Sequence, residues 1–249
     1  MNNVNGTVRE LHLSNNKVGS AEELNAVKPD VVTGSEALAD LLRTSHCVLQ
    51  VLHLEWNMIR LDGGIDLCRA LACNSSLMTL NLDNNSLDHK GGVTLGESLN
   101  HNRTLKKLLI ANNSIDSLAC LTICAGIIEN ESLTKVSLDS NPIGLLGARA
   151  VLLIPNIIGS RVALSVTRCN TKIRQAKADW EFDFDRLTRD FSFNMEIPYE
   201  RAAAVMLLHI VACDTTLTFE SITHNESTSL HLVRAQAQDR DEYFNDKDR

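Results

Sequence analysis

The sequence predicts an α/β protein: a right-handed solenoid shaped like a horseshoe, with parallel strands on the concave face and helices on the convex face. Two observations predict this fold. Apolar residues at offsets zero, three and five, followed by asparagine at offset eight, recur at a step of 28 residues. Between these copies, pairs of apolar residues four apart recur at the same step, as in amphipathic helices. Each period therefore supplies one strand and one helix.

The strands come from the pattern L-x-x-L-x-L. Six copies begin at or near Val8, Leu49, Leu77, Leu105, Leu133 and Arg161. The last two apolar residues of each copy alternate at period two, so they face the core while their neighbours point outward. Because stacked strands lie about 4.8 Å apart and packed helices about 8 to 10 Å apart, the stack must curve with its strands inside.

The residue at offset eight forms a structural ladder at the ends of the strands. An asparagine side chain both donates and accepts hydrogen bonds, so it can satisfy backbone groups in a buried turn. The ladder consists of Asn16, Asn57, Asn85, Asn113, Asn141 and Cys169. A thiol is only a weak donor, so we expect the turn at Cys169 to be held less firmly.

The helices follow the strands. The pairs at the 28-residue step are Leu67 with Leu71, Leu95 with Leu99, and Ile123 with Ile127. Pro155 takes the place of the second member in the next repeat, which predicts that this helix ends early or kinks. The first repeat carries an insertion over residues 17 to 47, in which residues 35 to 42 are predicted to be helical.

The period fails after Cys169, so we divide the chain into a repeat array, residues 1–170, and a C-terminal α+β capping region with a polar tail, residues 171–249. Alternation in residues 179–184 and again at Phe191, Phe193 and Met195 predicts a hairpin. A helix is predicted from Pro198 to Asp214. We expect both to cover the open face of the last repeat, and the last twenty residues to be a frayed helix or tail.

Residues about 8 to 170 resemble the ribonuclease-inhibitor class of leucine-rich repeats. The resemblance rests on the period, the helix in each period and the N-x-[ST]-L junctions at Asn74, Asn102 and Asn130. That class includes Ran GTPase-activating proteins, tropomodulin-like proteins and the sensor arrays of NOD-like receptors. Residues 191–202 also resemble a Y-x-L-x-L-s-x-P-Y-E-R-A segment that ends repeat arrays in some eukaryotic proteins.

Three functions follow from these patterns. The first is a non-catalytic scaffold that binds a protein partner through the concave sheet and its edge. The resemblance also implies two alternatives, a GTPase-activating or other regulatory protein similar to Ran GTPase activators, and a structural component of the cytoskeleton or cilium. The sequence lacks a glycine-rich phosphate loop, H-E-x-x-H and a nucleophile elbow, so we predict no enzyme activity and no cofactor.

The outward-facing residues of the strands supply the candidate partner-binding set. They are Trp56, Glu55, His53, Asp83, Lys107, Lys135 and Asp139. Trp56 is an aromatic residue at a position that is polar in every other copy, so it is a candidate binding anchor. The alternative is that Trp56 packs under the insertion of the first repeat. For the charged residues, the alternative is an ordinary solvated surface.

Two pairs of ionisable side chains are expected to lie close together on neighbouring strands. Lys107 and Lys135 are expected near 5 Å apart on neighbouring strands, with the acids along one edge. His12 and His53 are expected on adjacent strands beside two glutamates, a set of zinc ligands in principle. Concave repeat surfaces are commonly polar, so we predict no metal site.

Composition predicts a cytoplasmic protein without nucleic-acid or membrane partners. The net charge is −7, and no run of lysine and arginine suggests phosphate-backbone binding. The first residues lack a signal region, and no apolar stretch is long enough to cross a bilayer. Seven cysteines without a C-x-x-C pair suggest reduced thiols. The N-x-[ST] sequons follow the repeat, so we interpret them as scaffold and not as glycosylation sites.

Overall fold

A computed structural model describes residues 7–19, 32–170, 191–194, 196–213, 219–224 and 229–234 of the chain. Strands and helices alternate through the array. They are β1 (Glu10–His12), α1 (Gly34–Arg43), β2 (Val51–His53), α2 (Leu61–Ala70), β3 (Thr79–Asn81), α3 (Asp88–Leu99), β4 (Lys107–Leu109), α4 (Ser117–Glu129), β5 (Lys135–Ser137), α5 (Gly144–Ile158), a short 3-10 helix (Gly159–Arg161) and β6 (Ala163–Ser165). The C-terminal part contributes β7 (Phe191–Asn194), α6 (Pro198–Cys213), β8 (Phe219–His224) and β9 (Ser229–Arg234).

Six parallel strands form the main sheet in the order of the chain, β1 to β6. Glu10 pairs with Val51, and the register continues from strand to strand through Thr79, Lys107 and Lys135. The predicted α/β repeat architecture is therefore confirmed, including the register across the insertion of the first repeat. Leucines of the repeat pattern, such as Leu52, Leu80 and Leu108, are fully buried between the sheet and the helices.

The ladder residues form hydrogen bonds from one repeat to the next. The side-chain amide of each internal asparagine donates to a strand carbonyl of the preceding repeat, as in Asn85 Nδ2 to Leu54 O at 2.9 Å. Equivalent bonds run from Asn57, Asn113 and Asn141 at 2.7 to 2.9 Å. At the end of the ladder Cys169 Sγ donates to the Leu138 carbonyl at 3.3 Å. Burial raises the pKa of the Cys169 thiol, which keeps its proton available for this bond.

A second asparagine ladder lies at the opposite ends of the strands. Asn74, Asn102 and Asn130 are almost fully buried, and each accepts from the backbone N–H of the leucine three residues later at 2.8 Å. Their amide groups donate to carbonyls of the preceding repeat. These are the asparagines of the repeated sequons, so burial supports their interpretation as scaffold.

The helices pack side by side on the other side of the sheet, each against the next. Glycine allows the closest contact, because a Cβ on Gly126 would lie 2.5 Å from the Gly96 carbonyl oxygen. Of the two outcomes predicted for Pro155, an early end or a kink, the early end is wrong, since α5 continues to Ile158. Val151 and Ile154 are buried just before the proline, and this packing outweighs the loss of one backbone hydrogen bond.

Helix α6 begins at Pro198 as predicted and packs against α4 and α5, with a smaller contact to α3. Ala203, Leu207 and Ile210 of α6 are buried. This contact explains why α4 is apolar on nearly all sides, as expected for a helix with neighbours all round. The cover over the open face of the last repeat stays a prediction.

The C-terminal strands form a separate antiparallel sheet in the order β7, β9, β8. The strand predicted at Phe191 is confirmed, and its neighbour in the sheet is β9. Residues 179–184, the other strand of the predicted hairpin, lie outside the described residues. The tail prediction is wrong for Ser229–Arg234, because this segment forms β9 at the centre of the sheet. The alternation of Leu230 and Leu232 was a signal for that strand.

Candidate protein-binding face

The outward-facing side chains of the main sheet form the three rows expected from the repeat. The first row contains Lys107 and Lys135 as direct neighbours, and both are exposed. The second begins with His12 and His53, which are paired on β1 and β2. The third is joined by backbone bonds that lead from repeat to repeat, for example Trp56 N to Asp83 O at 3.1 Å. The two lysines therefore lie at the starts of their strands, and the acids other than Glu10 lie toward the strand ends.

The two histidines stack on each other. Their ring centroids are 4.7 Å apart and the ring planes differ by 12°. A glutamate flanks each ring, with His12 Nε2 3.8 Å from Glu10 Oε2 and His53 Nδ1 3.4 Å from Glu55 Oε1. Among the residues that the structure describes, no group of three or more histidine, cysteine or acidic side chains has the geometry of a metal site.

The two carboxylate oxygens of Glu55 differ in their contacts. Its Oε1 faces His53, whereas Oε2 is buried and has no hydrogen-bond partner in the described part of the protein. A buried carboxylate oxygen without a donor is costly, and a donor from a partner reaches Oε2 only after the Glu55 side chain changes rotamer.

Trp56 follows Glu55 in the turn after β2 and is 56% exposed. Its φ of 60° is left-handed, and every equivalent residue of the array shares this conformation. Those residues are Asn15, Asn84, Asn112, Ser140 and Arg168. Asparagine tolerates a left-handed backbone much better than tryptophan does, so an indole here is a departure from what the turn favours. The alternative of packing under the insertion involves residues 20–31, which lie outside the described residues.

Two further apolar side chains follow Trp56, Met58 in the same turn and Leu61 at the start of α2. Met58 and Leu61 are 50% and 56% exposed, and both have positive φ. The sequence analysis missed them as site residues. The signal was present, because the position of Met58 is occupied by Ser86 and Ser114 in the next two repeats.

The two aspartates of the third row have contacts within the scaffold. Asp83 Oδ1 accepts from Ala111 N and Asp139 Oδ1 from Thr167 N, each at 2.6 Å and each one repeat further along. Burial raises the pKa of Asp83, which the Ala111 N–H lowers in part and the charges of Glu55 and Asp139 raise further.

The pKa of Asp139 is shifted in the opposite direction from that of Asp83. Burial acts to raise the pKa of its carboxyl, but hydrogen bonds from Ser165, Thr167 and Ser137 lower it more, so its pKa lies below the usual value. Asp139 is therefore held as a carboxylate by its neighbours. Both aspartates brace adjacent repeats and have less capacity for a partner than Glu55 has.

Comparison with known proteins agrees with this architecture. A family model described as Leucine Rich repeat matches residues 4–21, which include β1, and residues 129–152, which include β5 and the first part of α5. The chain is a leucine-rich-repeat protein. A search of curated proteins found no match. Within the described residues of this leucine-rich-repeat protein, no helix is long and apolar enough to cross a membrane.

One similar solved structure is Leiomodin-1 Actin-Binding Site 2 (ABS2). It is 19% identical, with 63% of this chain and 82% of that chain covered and a TM-score of 0.49. At that distance it identifies none of the site residues of this leucine-rich-repeat protein.

Proposed function

We propose that this leucine-rich-repeat protein is a non-catalytic scaffold that binds a protein partner through the concave sheet and the edge formed by Trp56, Glu55 and His53. Leucine-rich-repeat domains are typically protein-interaction modules. We place the protein in the cytoplasm, where its cysteines stay reduced. Lys107 and Lys135 extend the contact across the sheet, and Asp83 and Asp139 support it from within the scaffold.

The observation that carries the proposal is the turn after β2. It combines an exposed indole in a backbone conformation that favours asparagine with a glutamate oxygen that has no donor among the described residues. Met58 adds exposed apolar surface beside it. Aromatic anchors next to a polar group in need of a partner are typical of the centre of a protein interface. The charge of Glu55 favours an arginine or lysine of the partner at this point.

Trp56→Asn tests the site without disturbing the fold. Asparagine occupies the same left-handed position in Asn15, Asn84 and Asn112, so the variant should unfold at a temperature no lower than the parent. The matched control is Leu152→Asn, which removes an exposed apolar side chain, 71% exposed, from α5 on the helix side. Partners are captured on the tagged protein from its native cells and quantified by mass spectrometry.

We expect the Trp56→Asn and Glu55→Gln variants to lose the same partner, which the Leu152→Asn control retains. Asn112→Trp places an indole in the equivalent turn two repeats away and tests for nonspecific adhesion. Capture that is equal in the parent and the Trp56→Asn variant would remove this turn from the interface. Capture that follows the number of exposed indoles would point to adhesion without a site.

A further inference from the structure

A second surface feature lies at the starts of the strands, on the opposite edge from Trp56. It is a cleft of about 390 Å³ beside β1 to β4. One wall is the row of residues just before the strands, joined by backbone bonds such as Gln50 N to Arg9 O at 2.7 Å and Lys106 N to Met78 O at 2.8 Å. The other wall is made by the turns that lead from helix to strand. The lining residues are Arg9, Cys47, Val48, Gln50, Ser75, Ser76, Met78, Arg103, Thr104 and Lys106.

The charge of this cleft is opposite to that of the whole chain. Among the described residues, Arg9, Arg103 and Lys106 line it and no acid does, although the net charge of the protein is −7. Within the described residues, Arg9 and Lys106 form no ion pair, and the Arg103 side chain donates to the neighbouring Asn102 carbonyl at 3.1 Å. Glu10, next to Arg9 in sequence, faces His12. Three cations that line one cleft without a carboxylate among the described lining residues leave a positive potential, which an anionic ligand would neutralise.

The other lining groups narrow the class of anion. Hydroxyls of Ser75, Ser76 and Thr104 add hydrogen-bonding capacity beside the cations. A phosphate monoester carries close to two negative charges and three acceptor oxygens, and clustered arginines bind it with charge-assisted hydrogen bonds. The cleft is larger than a phosphate group alone, and Met78 and Val48 supply apolar contact for the side chain that carries it.

We propose that this cleft binds a phosphorylated side chain of a polypeptide. A peptide is favoured over a lipid headgroup because the protein is acidic overall, which repels anionic bilayers. The cleft also adjoins the first row of the concave sheet, with Lys107 directly after Lys106, so a chain lying on the sheet reaches it. The site extends the proposed function to a second position and does not depend on the turn at Trp56.

The sequence analysis found no cluster of basic residues, because the cluster does not exist along the chain. Arg9 comes from the first repeat, whereas Arg103 and Lys106 come from the junction before β4. Only the stacking of repeats brings them to one cleft. Arg103 also departs from Ser75 and Glu131, its equivalents in the neighbouring repeats, and that departure was the available signal.

Short alanine-rich peptides that carry phosphoserine, phosphotyrosine, serine or glutamate at the centre test the proposal. Binding is followed by fluorescence polarisation and by the amide resonances of Ser75, Ser76 and Thr104. We expect a phosphorylated peptide to bind and to shift these amides, and the serine and glutamate peptides to do neither. Lys106→Ala and Arg103→Ala should each weaken binding about tenfold, the change expected when one hydrogen bond to a charged group is lost.

The matched control is Lys90→Ala, which removes an exposed lysine of α3 and should leave the affinity unchanged. Trp56→Asn should also retain phosphopeptide binding, so failure of the turn and failure of the cleft are separate results. Glutamate peptides that bind as tightly as phosphorylated ones would overturn the assignment to phosphate. Arg103-dependent binding to vesicles with phosphoinositide, without binding to any phosphopeptide, would replace the peptide with a membrane. Absence of shifts at the three amides with every probe would refute the site.

Discussion

The asparagines of the ladder connect successive repeats, and the Asn85→Ala variant measures their contribution to the free energy of unfolding. Asn85 Oδ1 accepts from the backbone N–H groups of Asn57 and Ile59, each at 3.0 Å, and Nδ2 donates to the Leu54 carbonyl at 2.9 Å. Among the described residues, none of these three groups has another hydrogen-bond partner. The residues are buried, with Leu54, Asn57 and Ile59 at 0% exposure, so water does not replace the lost bonds.

The expected cost follows from this count. Each buried backbone group left without a partner costs about 1 kcal/mol at the lower end of the usual range, which suits a site where the removed side chain leaves some space. Three such groups lower the free energy of unfolding by about 3 kcal/mol. For a chain of this length, that change lowers the melting temperature by roughly 6 to 12 °C.

Asn113→Ala is the matched control at the equivalent position of the next repeat. Asn113 donates to the Leu82 and Ala111 carbonyls, but Asn85 Nδ2 also donates to the first and Asn84 N to the second. The Asn113 Oδ1 atom has no partner within the described part of the chain. This substitution leaves no backbone group unpaired, so its cost stays below about 1 kcal/mol.

Thermal and urea unfolding of both variants, followed by circular dichroism, gives the comparison. The two substitutions remove the same atoms from the same type of turn, so the cavity contribution largely cancels. Equal losses of stability in the two variants would refute the argument that unpaired backbone groups set the cost. Asn141→Ala should behave like Asn85→Ala, because Asn141 accepts from two backbone N–H groups in the same manner.

Three further predictions concern other contacts. Cys169→Asn should stabilise the last repeat by about 1 kcal/mol in urea unfolding, because an amide donates more strongly than a thiol; no gain would contradict the weak-donor argument. His89 Nδ1 lies 2.8 Å from Asp116 Oδ2, and this hydrogen bond raises the His89 pKa above its usual 6.5. The contribution of this hydrogen bond to stability is therefore fully present below about pH 6.5 and is lost as pH rises through the raised pKa. Melting curves of the parent and the His89→Asn variant at several pH values test this. A difference in melting temperature that does not change with pH would contradict it. Gly96→Ala should destabilise by about 2 kcal/mol or more, since its Cβ would lie 2.6 Å from backbone of α4, whereas Gly64→Ala, 3.3 Å from a leucine side chain, should be nearly neutral in the same melts.

The repeat explains why much of the face was predictable. The register of His12 with His53 and of Lys107 with Lys135 follows from copying one strand at a constant step, so the sequence places these pairs without coordinates. The hydrogen-bond partners of each side chain do not follow from the repeat. The contacts of Asp83 and Asp139 with backbone amides of the next repeat depend on side-chain conformation, which a periodic pattern does not contain.

The C-terminal part was less predictable for a related reason. The composition of Pro198–Cys213 predicts a helix, but a helix outside the period has no register that names its neighbour. The sequence indicated its packing against α4 only indirectly, because α4 has apolar residues on all sides. Strand β9 was missed because a short alternation of leucines was outweighed by the polar residues after it.

By itself, the sequence determined the strand order, the rows of the sheet and the ladder. Each repeat packs mainly on its neighbours, so the geometry of one repeat fixes that of the next. Tertiary structure alone decided which surface α6 covers, which ladder asparagine carries unshared bonds, and which distant cations meet in one cleft. These features join parts of the chain that no period relates, and they arise only when whole surfaces pack in three dimensions.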